Sequence, residues 1–239
     1  GTTGERNVML APVKLADVRD ARYRQWRKAR RAIVDAPSGG RLGYIHIQGM
    51  NAPSLEEFQR ELFAAASGKQ GLLIDVRNNG GGWTTDVLMA ILNVRRHAWT
   101  VPRDGDPNVK AYPQDRLPLP AWTRPAATLC DEASYSNAEI FSWAFRTLER
   151  GPVVGVQTFG AVISTGAAVL ADGSTVRLPG RGWYVAGSGV NMENHGCPPT
   201  HVVAQPPEHD LAKERDAQLE RAVEVLLAQL PADEALLPW

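Results

Sequence analysis

The chain has 239 residues, 44% of them hydrophobic, with 26 Lys and Arg balanced by 26 Asp and Glu and two cysteines, Cys130 and Cys197. This length supports one large domain or two small ones around a sizeable core, and the cancelled charge excludes an overall field that would recruit nucleic acid or an anionic membrane, leaving only a local patch open. Two cysteines without metal-ligand spacing exclude a disulfide framework and read as buried free thiols of a reducing compartment, while no apolar run nears the ~20 residues that span a bilayer and residues 1–6 lack a secretory apolar core.

Residues 7–13 read as a strand with nothing before it to pair with, which points to a segment of a longer protein. Residues 15–36 follow a helical pattern rich in arginine, with Tyr23, Trp26 and Ile33 on one side. Interleaved aspartates favour a solvated face over a nucleic-acid surface, and residues 37–40 end the helix as a loop. Residues 41–48 are strand-like; Ser54 with Glu57 then forms a capping box that opens a helix closed by Gly68. Next come an apolar strand over residues 72–77, the turn Asn78-Asn79-Gly80-Gly81-Gly82, and a helix from about Thr85 to Asn93. This order predicts a mostly parallel α/β sheet covered on both faces, with function at the loops on the strand ends.

Residues 100–125 carry six prolines, which exclude a regular helix and predict a long surface excursion. A buried strand over 126–130, a helix over 137–148 and a strand over 153–156 follow, and Asp172-Gly173 predicts a hairpin between strands at 167–170 and 175–178. Residues 216–230 place Leu219, Ala222, Val223, Leu226 and Leu227 on one face of a last helix.

Two strand-to-helix junctions look like halves of one acyl-transfer site. In the triglycine turn, residues without side chains let backbone N–H groups approach a ligand at a helix N-terminus, where they can hold an oxyanion; a purely conformational role is the alternative. At the other junction, Asp131 to Phe141, Ser136 stands where a buried strand enters an apolar helix and by itself could be an N-cap. Glu193 by itself reads as a loop carboxylate facing water. His46 lies in a strand core, His195 beside Glu193, and His97, His201 and His209 at loops or edges. A serine needs a positioned base, and none of these histidines is marked as one.

Four blocks, Gly43-Tyr44-Ile45-His46-Ile47, Ile74 to Gly82, Ser136-Asn137-Ala138-Glu139-Ile140-Phe141 and Gly155 to Gly160, resemble the tail-specific protease family in order and spacing, and the tricorn branch in particular. The resemblance implies a Clp-protease/crotonase-like α/β superhelix with a mostly parallel sheet, preceded by a basic helical arm. It divides the chain into the end of a PDZ-like domain (residues 1–14), the arm and linker (15–40) and a catalytic domain (41–239). It also implies that Ser136 is the nucleophile, that the amides of Asn137 and of Gly82 or Gly81 hold the oxyanion, and that Glu193 is the glutamate of a Ser, His, Ser, Glu tetrad. The tetrad's histidine and second serine would lie upstream of this chain. The processing-protease branch uses a lysine where Ala161 stands, so a Ser/Lys dyad is not expected. Where tricorn relatives have aspartate, this chain has Asn137, a change in local charge rather than in the backbone donor. Residues 95–100 contain no acidic residue to read a basic side chain, so a trypsin-like preference is not expected.

The implied activity is peptide hydrolysis in a cytoplasmic homo-oligomer, with a peptide or unfolded polypeptide as substrate, no nucleic acid or membrane partner, no metal and no cofactor. Two rivals share the scaffold: a catalytically silent binding module, and acyl-CoA chemistry, in which Ser136 beside Glu193 would have no evident purpose.

Overall fold

The structure, a computed structural model, describes residues 9, 11–95, 101, 103–106, 120–207 and 215–230. Its centre is a five-stranded parallel sheet in the order β1-β2-β3-β4-β7. The strands are β1 (Leu42–His46), β2 (Gly71–Asp75), β3 (Ala126–Cys130), β4 (Val153–Gly155) and β7 (His201–Val202). Every residue of the first four is buried, which is why their sequences run continuously apolar rather than alternating.

Successive side chains still divide between the two faces. Ile45, Leu72, Ile74 and Cys130 pack with Phe58 and Leu62 of α2 (Ala52–Ala64), Leu88 and Leu92 of α3 (Thr85–Leu92), and Phe141 and Phe145 of α4 (Asn137–Thr147). Leu42, Tyr44, Leu73, Leu129 and Val154 pack on the opposite face against Val34 of α1 (Leu15–Ser38) and against Leu219, Val223 and Leu226 of α5 (Ala217–Leu227). Apart from this sandwich, β5 (Ser164–Val169) and β6 (Thr175–Arg181) form an antiparallel hairpin.

Several elements depart from the sequence expectation. Helix α2 begins at Ala52, because Asn51 rather than Ser54 is the N-cap: its Oδ1 accepts the Ser54 N–H at 3.0 Å, so the Ser54–Glu57 pair is inside the helix. Helix α1 runs through Pro37 to Ser38 and stops where Gly39 turns left-handed (φ 57°). Its arginines do not simply face water. Arg27 pairs with Glu57 at 2.6 Å, Arg31 with Glu61 at 2.5 Å, and the buried Arg30 approaches Asp216 at 3.2 Å. The basic helix is therefore held to α2 and α5 by charge. The hairpin strands are longer than Asp172-Gly173 alone suggested, and β7 was not anticipated.

Of the strand expected at residues 7–13, the described residues 9 and 11–13 form none, and the rest lie outside the described residues. Most of the proline-rich segment, with His97 and His209, also lies outside them. Both cysteines are buried free thiols. Among the described residues, no helix is long and apolar enough to cross a membrane.

Candidate active site

The carboxyl ends of β1, β2 and β3 bring the two singled-out junctions together. After β3, Asp131 folds its carboxylate over the next turn: Oδ1 accepts the Ala133 N–H at 3.2 Å and the Asn78 N–H of the neighbouring turn at 3.0 Å. Burial pushes the Asp131 carboxyl up. The Ser134 hydroxyl donates to the Val76 carbonyl at 2.8 Å, and the Tyr135 N–H donates to the Asn79 carbonyl at 2.9 Å. The two loops are thus stitched along their length before Ser136 is reached.

Ser136 occupies the N-cap position of α4, but with φ 55° and ψ −118° rather than the extended backbone of an ordinary N-cap. For a residue with a side chain, such a conformation costs roughly 1–3 kcal/mol and persists only where its surroundings over-determine it. Here Glu139 supplies the restraint. Its buried carboxylate accepts from the Ser136 N–H at 2.9 Å and the Ala161 N–H at 2.9 Å through Oε1, and from the Thr158 hydroxyl at 2.7 Å and the Gly160 N–H through Oε2. A spacing of three residues marked Glu139 as an acidic group near the serine; its grip on a loop twenty residues later had no local signal.

The triglycine bend lies directly against this serine. A Cβ on Gly81 would stand 2.7 Å from Ser136 Cβ, 2.7 Å from the Tyr135 carbonyl and 2.9 Å from the Asn137 nitrogen. Gly82, at φ 145°, passes so near β1's extension that a Cβ would fall 1.8 Å from the Met50 carbonyl oxygen. The bend is held by pairing, with the Met50 N–H donating to the Gly81 carbonyl at 2.9 Å and the Trp83 N–H donating to the Met50 carbonyl at 2.7 Å. Asn79 locks its interior: Nδ2 donates to the Ile47 carbonyl at 2.7 Å, and Oδ1 accepts the Gly81 N–H at 2.9 Å.

This pairing distinguishes the two glycines. The Gly81 amide is spent inside the turn, whereas the amides of Gly82 and Asn137 donate to nothing among the described residues. The Asn137 side chain, buried, accepts the Thr85 N–H at 3.0 Å, and the Thr85 hydroxyl donates to the Asn137 carbonyl at 2.8 Å. The amino-terminal ends of α3 and α4 are joined there, so the two free amides belong to one rigid corner.

Glu193 meets the site through the same loop. Where Gly160 and Ala161 donate to Glu139, the next two amides, of Val162 and Ile163, donate to Glu193 Oε2 at 2.7 and 3.0 Å. Its other oxygen has no partner among the described residues. Neither candidate histidine reaches Ser136. Nδ1 of His46 is 2.8 Å from the Tyr23 hydroxyl and Nε2 is 3.1 Å from the Arg77 carbonyl, which makes Nε2 the donor. Nδ1 of His195 is 2.9 Å from the Glu193 carbonyl. Among the described residues, no three His, Cys, Asp or Glu side chains gather to hold a metal ion.

Comparison with known proteins bears on this geometry. The sequence model of peptidase family S41 matches residues 41–203. The chain is 38% identical over 234 residues to tricorn protease homolog 1 of Streptomyces coelicolor, covering 98% of this chain and 21% of that protein. It is 35% identical over 225 residues to the tricorn protease of Thermoplasma volcanium, covering 94% of this chain and 21% of that protein. The crystal structure of a tricorn protease superposes with a TM-score of 0.76 at 30% identity, over 88% of this chain and 20% of that one. The chain thus spans about a fifth of the length of these relatives.

Proposed function

Because the chain belongs to peptidase family S41, we propose that it is the nucleophile-bearing part of a larger tricorn-like serine peptidase, acting on peptides or unfolded polypeptides in a homo-oligomeric cytoplasmic assembly. Ser136 Oγ attacks the scissile carbonyl, the oxyanion rests on the amides of Gly82 and Asn137, and water then hydrolyses the acyl-enzyme. Gly81 serves as the packing residue that lets the bend touch Ser136, not as a donor. Glu193 acts at one remove, its unpaired oxygen offered to the group that orients the base. That base, a histidine with its second serine, comes from a part of the protein outside this chain. On this reading residues 1–14 end a PDZ-like domain, residues 15–40 form the arm, and residues 41–239 form the catalytic domain.

The observation that carries the proposal is the strained Ser136 seated against a glycine bend with two unspent amides beside it. In the full-length protein, a fluorophosphonate probe should label Ser136, and Ser136→Ala should lose both labelling and peptide hydrolysis without loss of folding stability. Hydrolysis retained by Ser136→Ala removes Ser136 from the role. A full-length protein that never labels supports the silent-module reading instead.

A further inference from the structure

The first turns of α3 and α4 meet at Asn137, and the hydrogen bonds there do not all close. Asn137 opens α4 and is only 6% exposed. Its Oδ1 accepts the Thr85 N–H at 3.0 Å and lies 3.0 Å from the Thr85 hydroxyl as well. This fixes the direction of the side-chain amide: turned over, it would set an N–H group against the Thr85 N–H, two donors with no acceptor between them. The Nδ2 group therefore leaves on the opposite side.

Nothing takes up its hydrogens. Nδ2 has no acceptor among the described residues, and it is not one of the sealed, unpartnered polar atoms of the interior, so the little surface that Asn137 shows includes this nitrogen. Buried polar groups are as a rule satisfied, and a buried amide that uses its acceptor while both its donors stay free is an exception that needs a reason. Its neighbours supply one. The backbone amide of Asn137 is free too, a Cβ on Gly81 would stand 2.9 Å from that nitrogen, and Gly82, with the second free amide, precedes Thr85 by three residues. Three free donor groups thus border one corner beside Ser136.

We propose that Asn137 serves the reaction with its side chain as well as its main chain: Nδ2 is a third donor to the oxyanion, beside the amides of Gly82 and Asn137. When Ser136 Oγ adds to the scissile carbon, the negative charge that arises on the carbonyl oxygen is shared over this further N–H, and no proton leaves the nitrogen. The inference rests on the peptidase reading, which supplies the reaction. Because the charge exists only once attack has begun, the contact acts on rate rather than on substrate binding.

The test uses the full-length protein, with the rate of fluorophosphonate labelling and with kcat and KM on an internally quenched peptide that the parent cleaves. Asn137→Asp keeps an oxygen for the Thr85 N–H and exchanges the donor for a second carboxylate oxygen. At neutral pH it should label and turn over about 10²-fold more slowly, with KM within about threefold of the parent's. The ratio of its rate to the parent's should climb as pH is lowered, because a protonated carboxyl regains an O–H to donate. Asn137→Ala removes the donor without adding charge and should be slower by about tenfold or more. Urea unfolding checks that it folds; should it not, for want of an acceptor for Thr85, Asn137→Asp decides alone. Equal rates for Asn137→Asp and the parent overturn the inference. So does a deficit that ignores pH, a loss confined to KM, or a folded Asn137→Ala with the parent's rate. A parent that never labels removes the peptidase reading and this inference with it, whereas a parent that labels beside an unimpaired Asn137→Asp removes the inference alone.

Discussion

Ser136 holds a backbone conformation that its residue type resists, and Glu139 is what makes it stay there. Each oxygen of that carboxylate receives two donors, so exchanging it for an amide puts an N–H group against an N–H or O–H that needs an acceptor. Glu139→Gln is therefore expected to cost roughly 1–3 kcal/mol of stability, measured by urea unfolding. With Ser136 as the proposed nucleophile, it should also slow fluorophosphonate labelling by up to about 10²-fold, because a reacting group displaced by an ångström loses that much. An unaltered labelling rate would show that the conformation of Ser136 does not depend on Glu139. Ser136 itself was legible from its motif, as was its place before an acidic residue. The choice between Gly81 and Gly82 was not, because it depends on Asn79 Oδ1 capturing one of two chemically identical amides.

The elements are tied together beneath the site by a buried charge network. Arg77, two residues beyond β2, donates to Asp75 at 2.7 Å and to Asp216 at 2.9 Å, and it also reaches Gln218 at 3.0 Å, while Tyr44 of β1 donates to Asp75 at 2.8 Å. Arg30 of α1 adds a second cation beside Asp216. Residues 78–82 begin immediately after Arg77, so the network sets where the glycine turn leaves the sheet. Replacing Arg77 with Met leaves Asp75 buried against a hydrocarbon, and a loss of about 3–5 kcal/mol is expected at neutral pH. Urea titrations of both proteins at several pH values check this, and the deficit should shrink in acid as the orphaned Asp75 carboxylate takes up a proton. The pairing of Arg77 with Asp216 was not visible in the chain, since the two stand 139 residues apart.

For the molecule as a whole, the titrating groups predict an acid-sensitive fold. Burial holds the His46 imidazole below its ordinary 6.5. Burial also works to raise the Asp75 carboxyl, but Arg77 overrides it and holds that group below its ordinary 3.8. In each case the unfolded chain binds the proton first, so stability falls as pH drops: from about 6.5 downward for His46 and from about 3.8 downward for Asp75. His46→Gln should flatten the pH dependence of unfolding free energy between about pH 7 and pH 5, and a slope equal to that of the parent would assign it to other groups.

The sequence by itself determined the layered α/β plan, because strands buried on both faces must be apolar throughout and the helices that cover them must carry a stripe. It determined the two glycine and serine turns as well, since each is written within a few consecutive residues. Only the tertiary structure decided which amides stay free, and that a basic helix is held down by glutamates of α2 and by Asp216. The reason is physical: a hydrogen bond or an ion pair has no sequence period, and its partner is chosen by the packing that brings distant segments within about 3 Å.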